Sequence, residues 1–223
     1  MALSKLNYNS LNLTPVAGKG IGFDSGADDL EASFSGNSMV FIKKLTASSS
    51  STLSFVDGSS DVVLDSTYKE YLFIFKDIHP QTNSVNFEFN MSADSGSNYN
   101  VTKTTTTFYG LHGEDGSDAA VDYSGARDLA QGTGFQNLNT AGNISNDNDH
   151  VISGTLHIFN PSSTTFVKHF ICNNSAVSHD DYNQNNFVAG YGNTTSAVDA
   201  IQFQFHTGNI DAGVIKLYGI SDS

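Results

Sequence analysis

Tryptophan is absent from this 223-residue chain, and cysteine and arginine each occur once. The lone cysteine, Cys172, excludes an intrachain disulfide and any metal cluster built on several thiolates. It sits inside the apolar run FVKHFIC and reads as a small buried hydrophobe rather than a reactive thiol. Cations are scarce as well, with Lys plus Arg at 10 against 23 Asp plus Glu and a formal net charge of -13. Nucleic-acid backbones and anionic membrane surfaces need clustered cations, so neither is an expected partner. No apolar run approaches the ~18 residues of a membrane-spanning helix. The leading residues MALSKLNYNSLNL carry no apolar stretch followed by a small-residue cleavage site, so ordinary secretion is not expected.

Strong helix formers are few, with glutamate occurring only four times and lysine nine, which disfavours a helical or alternating βα fold. In their place stand 29 Ser, 18 Thr and 22 Asn, residues that favour turns and strands. A chain of this length buries roughly 70% of the surface its unfolded form exposes, so one large domain is feasible without staples.

Ten runs read as strands: 39–45, 52–56, 71–79, 85–91, 101–110, 151–159, 166–172, 186–192, 200–206 and 213–220. Turn clusters such as ASSSS, DGSSD, HPQTN, SADSGSN, FNPSS and TGNIDAG separate them. Alternation is strict where Val85, Phe87, Phe89 and Met91 face away from Asn86, Glu88 and Asn90, and where Ile201, Phe203 and Phe205 face away from Gln202, Gln204 and His206. These are half-buried antiparallel strands. Residues 71–75, YLFIF, are apolar at every position, which suits a central strand covered on both faces. Sixteen Phe and many short strands predict an all-β fold, a two-sheet antiparallel β-sandwich of jelly-roll type with Phe-lined inner faces.

Residues 1–38, broken by Gly18, Gly20, Gly22 and Gly26, read as an extended N-terminal arm. Residues 39–223 read as a single sandwich domain. Within it, 111–150 has little strand signal and reads as a long insertion presented outward, with a short helical turn at YSGARDLAQ.

Catalytic chemistry finds little to stand on. A glycoside hydrolase needs two facing carboxyl groups roughly 5 to 10 Å apart. Of Glu31, Glu70, Glu88 and Glu114, only Glu88 lies on a well-patterned strand, and there it reads as solvent-facing. No G-x-S-x-G elbow and no phosphate-binding P-loop occur, and GKGIG at 18–22 lacks the strand and helix context of a dinucleotide site. The expectation is therefore no enzyme, no catalytic residue and no cofactor.

His157, His169 and His206 occupy outward strand positions that converge on one sheet face if the strands neighbour each other, and they read as a polar surface. The runs NDNDH at 146–150 and HDDYN at 179–183 gather oxygen ligands without a twelve-residue calcium loop, and they read as solvated turns; no metal site is assigned. Tyr99, Tyr123, Tyr182 and Tyr191 are candidate contacts for a glycan or a partner, because a tyrosine face beside Asn or Asp suits a sugar ring. The bland reading of each is packing at a strand end.

The order of signals carries a resemblance. A Tyr-rich strand ends before a proline turn (Tyr68, Tyr71, Pro80); a Ser/Gly turn closes on Tyr99; a strand runs from Gly154 to the Asn160-Pro161 pair; and the terminal strand reads TGNIDAGVIKLYGI. Over residues 68–220 this resembles small β-sandwich virion proteins of tailed, marine bacteriophages, and TPVAGKGIGFDSGADDLE near the amino terminus is similar to the marine members.

The resemblance implies a non-enzymatic virion structural protein, exposed as a tail-fibre or tail-associated component or as a capsid decoration. It would be assembled in the host cytoplasm as a homo-oligomer and held to other virion proteins through its amino-terminal arm. The alternative is a carbohydrate-binding module that recognises host surface glycans.

Overall fold

The structure is a computed structural model that describes residues 20–23, 30–34 and 38–221. Residues 1–38 form a unit of their own, in which β1 (Gly20–Phe23) and β2 (Leu30–Phe34) pair as an antiparallel hairpin. That part of the expected arm is paired; the other residues of 1–37 lie outside the described residues.

From residue 39 the strands follow as β3 (Met39–Thr46), β4 (Leu53–Val56), β5 (Glu70–Pro80), β6 (Phe87–Ser92), β7 (Lys103–Gly113), β8 (Ala119–Tyr123), β9 (Gln136–Asn137), β10 (Ile152–Phe159), β11 (Lys168–Val177), β12 (Tyr182–Gly192), β13 (Ala200–Phe205) and β14 (Ile210–Ile220). They build an eight-stranded sheet in the order β3-β14-β5-β10-β11-β12-β7-β8 and a four-stranded sheet in the order β4-β13-β6-β9. All pairings are antiparallel. The chain crosses repeatedly from one sheet to the other, and the two pack together as the expected β-sandwich.

Alternation decides which side chains meet between the sheets. Phe55 from β4, Phe87 and Phe89 from β6 and Phe203 from β13 face Tyr71, Phe73 and Phe75 from β5, all of them buried. Phe203 is the hub, with ring centroids 5.4 Å from Phe73, 5.2 Å from Phe75 and 6.3 Å from Phe55, all edge-on. Edge-on geometry sets the positive rim of one ring against the negative face of the next. Burial of each such ring contributes roughly 1.5–3 kcal/mol relative to exposure.

All ten strand readings are met by strands, and two additions lie inside 111–150. Residues 111–113 extend β7, and β8 pairs back onto it as the sheet edge. The remainder is not presented outward as a whole. Gln136 and Asn137 pair with β6, and Leu138, Asn139, Thr140 and Ile144 are buried.

Polar side chains make that burial tolerable. The Asn139 carboxamide oxygen accepts from the Phe87 N–H at 2.7 Å, and Asn186 Oδ1 accepts from the Thr140 N–H at 2.8 Å. This segment thus covers one side of the sandwich by satisfying backbone groups rather than by apolar packing alone. No helix forms at YSGARDLAQ, where the chain runs in turns.

Candidate functional site

The outer face of the eight-stranded sheet is the most distinctive surface. Outward positions line up in rows across the strands. One row runs Phe41, Tyr218, Leu72, His157, Ile171, Ala189 and Thr106. Its neighbour runs Lys44, Lys216, Ile74, Thr155, Asn173, Phe187 and Phe108, and ends at Tyr123 on β8. Phe108 and Phe187 stack at 4.7 Å between centroids, while Phe41 meets Tyr218 edge-on at 5.6 Å. Phe41 and Ile171 are each 55% exposed, so this is an apolar surface open to water.

A depression of about 510 Å³ lies on the same face, with the small residues Ala189 and Gly190 in its lining. Phe159, His169, Ile171 and Tyr191 wall it, and Thr104 and Thr106 bring hydroxyl groups to it. His169 and Tyr191 sit directly across from each other on β11 and β12, with ring centroids 5.9 Å apart.

Of the candidate tyrosines, only Tyr191 lines this depression. Tyr123 is exposed on the edge strand, where its hydroxyl donates to Asp128 Oδ2 and that carboxylate raises the phenol above its ordinary range. Tyr99 is half-buried behind the turn that follows β6, and desolvation raises its phenol. Tyr182 is half-buried at the opposite end of β12 from Tyr191 and on the opposite face of the strand. The four therefore do not form one cluster. Phe159 and Ile171 are not among the sequence candidates, although each stands two residues along its strand from an outward histidine, His157 or His169, and so shares its face.

The histidines divide too. His157 and His169 share the outer face, as expected for neighbouring strands, but His206 lies beyond β13 of the other sheet, where its Nδ1 accepts from the Asn86 N–H at 3.0 Å. Glu88 does not face solvent. Only 8% exposed, its carboxylate accepts from Gln204 Nε2 at 2.7 Å, and burial raises its pKa above the ordinary range. β9 pairs beside β6 at Glu88, and the Tyr99 and Thr133 carbonyls accept from the Asn90 side chain on the same strand, contacts from distant segments that alternation alone does not reveal.

The two acidic runs come together around His150. Its ring is buried, with Nε2 3.2 Å from Asp181 Oδ1 and Nδ1 3.8 Å from Asp147 Oδ2, the latter too long for a hydrogen bond. Among the described residues no group of three or more His, Cys, Asp or Glu side chains is arranged to hold a metal ion.

Two lysines are buried without a carboxylate partner among the described residues. Lys103 Nζ donates to Asn90 Oδ1 and to the Val101 carbonyl at 2.8 Å, and burial pulls its ammonium down to about 7. Lys168 Nζ donates to the carbonyls of Phe166 and Thr194 at 2.7 and 3.1 Å. Cys172 is fully buried, and desolvation pushes its thiol up to about 12.

No protein-family model matches the chain, and no curated protein or solved structure matches it either.

Proposed function

We propose that this chain is a non-enzymatic structural protein of a bacteriophage virion, assembled in the host cytoplasm and exposed on the particle as a tail-fibre, tail-associated or capsid decoration component. The observation that carries the reading is where the phage-like segments fall. They are β5, the turn after β6, β10 and β14, and their motif residues serve packing. Tyr71 is fully buried, and its hydroxyl donates to the Asp65 carbonyl at 3.0 Å. The Asp94 carboxylate organises the turn after β6 by accepting from the Ser92 hydroxyl at 2.7 Å and from the Asn98 N–H at 2.8 Å. Gly154 lets β10 lie against Asn173 and Asn174, where a Cβ would collide with backbone. A likeness made of core and turn positions carries a scaffold rather than a reaction centre. The acidic excess suits a protein displayed in many copies, because like charge keeps such copies soluble.

Electron microscopy of purified particles labelled with an antibody to this chain tests the reading. Regular label over the shell assigns decoration, label confined to the tail assigns a tail component, and particles without label overturn the proposal.

The second reading, recognition of a host glycan, is favoured by the depression beside Tyr191, where an aromatic ring and the hydroxyls of Thr104 and Thr106 meet. Saturable binding on a host-polysaccharide array, lost in Tyr191→Ala, supports it. An array without binding removes it.

A further inference from the structure

We propose that the outer face of the eight-stranded sheet is a self-association surface, on which a second copy of this chain docks face to face about a two-fold axis running along the strands between β10 and β11. This inference stands apart from the virion reading and from where the protein is displayed.

Exposed apolar side chains are segregated on this face. Among the described residues, seven large hydrophobics are exposed; Met39, Phe41, Phe108, Val121, Tyr123 and Ile171 occupy outward positions of this face, and Phe166 does not. The strand β5 adds a second signal. Its alternate residues Tyr71, Phe73 and Phe75 fill the core, yet Leu72 and Ile74 on the outward side are apolar too and remain only half-buried. An all-apolar strand belongs between two covers, and residues 39–221 supply one of them.

The occupant follows from charge. In a chain of net charge -13, the two rows that cross the middle of this face carry no carboxylate at any of their outward strand positions. The next row holds one, Glu70 beside Phe159, so two copies can meet through the middle of this face without setting acid against acid.

The face is also self-complementary. Lys44 and Lys216 lie toward the β3 edge, and Asp128, bonded to the Tyr123 hydroxyl, lies at the β8 edge. A two-fold axis through the middle of the sheet exchanges the edges, so the lysines of each copy come over the aspartate of the other. The same rotation sets Ile171 of one copy against His157 of its mate and closes the depression lined by Ala189.

Size agrees. Eight strands about 4.8 Å apart and three outward rows span roughly 38 by 20 Å, close to the ~800 Å² per partner of a stable interface.

The test is the mass of the full chain in solution, by sedimentation velocity and light scattering from low to high micromolar concentration. The expected result is a species of twice the chain mass. Ile171→Lys should return it to the monomer with the same β-sheet signal, and with the urea midpoint that the unmodified chain shows at concentrations low enough to be monomeric, since the side chain points out of the fold. Lys44→Glu and Asp128→Lys should each weaken association at least tenfold, and the double charge swap should restore it. A monomer at every concentration, a trimer, or an assembly whose mass Ile171→Lys leaves unchanged overturns the proposal. Loss of glycan binding in these variants without any change in mass also overturns it, and gives the face to a sugar.

Discussion

The ring of Tyr68 occupies the space where Gly219 lacks a side chain, so that a Cβ at 219 would strike the body of the ring. Tyr68 is held there by an edge-on contact with Tyr71, with centroids 5.8 Å apart and planes at 89°. The pair links the segment before β5 to the last strand, two of the pieces on which the phage resemblance rests. Gly219→Val should therefore destabilise the sandwich by about 1–3 kcal/mol, as overpacking does. Tyr68→Ala in the same background should recover part of the loss by vacating the space. Urea denaturation of the two variants checks this, and equal midpoints for Gly219→Val and the unmodified chain would refute it.

Lys103 gives the fold a pH dependence on the alkaline side. Its folded ammonium titrates at about 7, against 10.5 for the ordinary side chain, because burial disfavours the charged form. Between those values the unfolded chain binds the proton and the folded chain does not, so stability rises with pH across that window. Below about 7 the cost of keeping the ammonium buried is fully present. Lys103→Met should remove this rise, although it leaves Asn90 Oδ1 and the Val101 carbonyl without their donor. The check is the difference in urea midpoint between the unmodified chain and the variant at neutral and alkaline pH; a constant difference would sink the account.

Glu88 acts in the opposite direction. Burial raises its carboxyl above 4.5, so between that value and its folded pKa the native state holds the proton more tightly than the unfolded chain, and stability falls as pH rises. Glu88→Gln should flatten that fall while its amide retains a partner in Gln204. Thermal midpoints taken from mildly acidic to neutral pH should converge at the acid end and favour the glutamine variant at the neutral end.

The ten strands were legible from alternation, as with Phe87, Phe89 and Met91 against Glu88 and Asn90 on β6, or from an unbroken apolar run between turns, as with Tyr71 to Phe75 on β5. Two features hid the rest. β8, AAVDY, is exposed at every position and shows no alternation, and β9 is two residues long. Burial in 111–150 combines isolated apolar residues, Leu138 and Ile144, with Gln136, Asn139 and Thr140, which have bonding partners far away in the sequence, so composition marks the segment as loop. The candidate site was half legible. The run YLFIF read as a strand covered on both faces, whereas its outward Leu72 and Ile74 are only half-buried, and register placed Tyr191 beside His169 while sending Tyr182 to the other end and the other face of the same strand.

Cys172 offers a probe of the core that leaves the fold untouched. It lies on β11 with Asn174 as its neighbour, fully buried, and its thiol is pushed up to about 12. The thiolate is the reactive form, so both access and ionisation protect it in the native state. A thiol reagent at mildly alkaline pH should leave the folded protein unlabelled over hours, and should label one site per chain once urea unfolds it. Because Cys172 points inward while its neighbour Ile171 points out, the Ile171→Lys variant should show the same protection. Rapid labelling of that variant would mean that the substitution opens the sandwich, and its effect on self-association would then have to be ascribed to unfolding rather than to the loss of a contact.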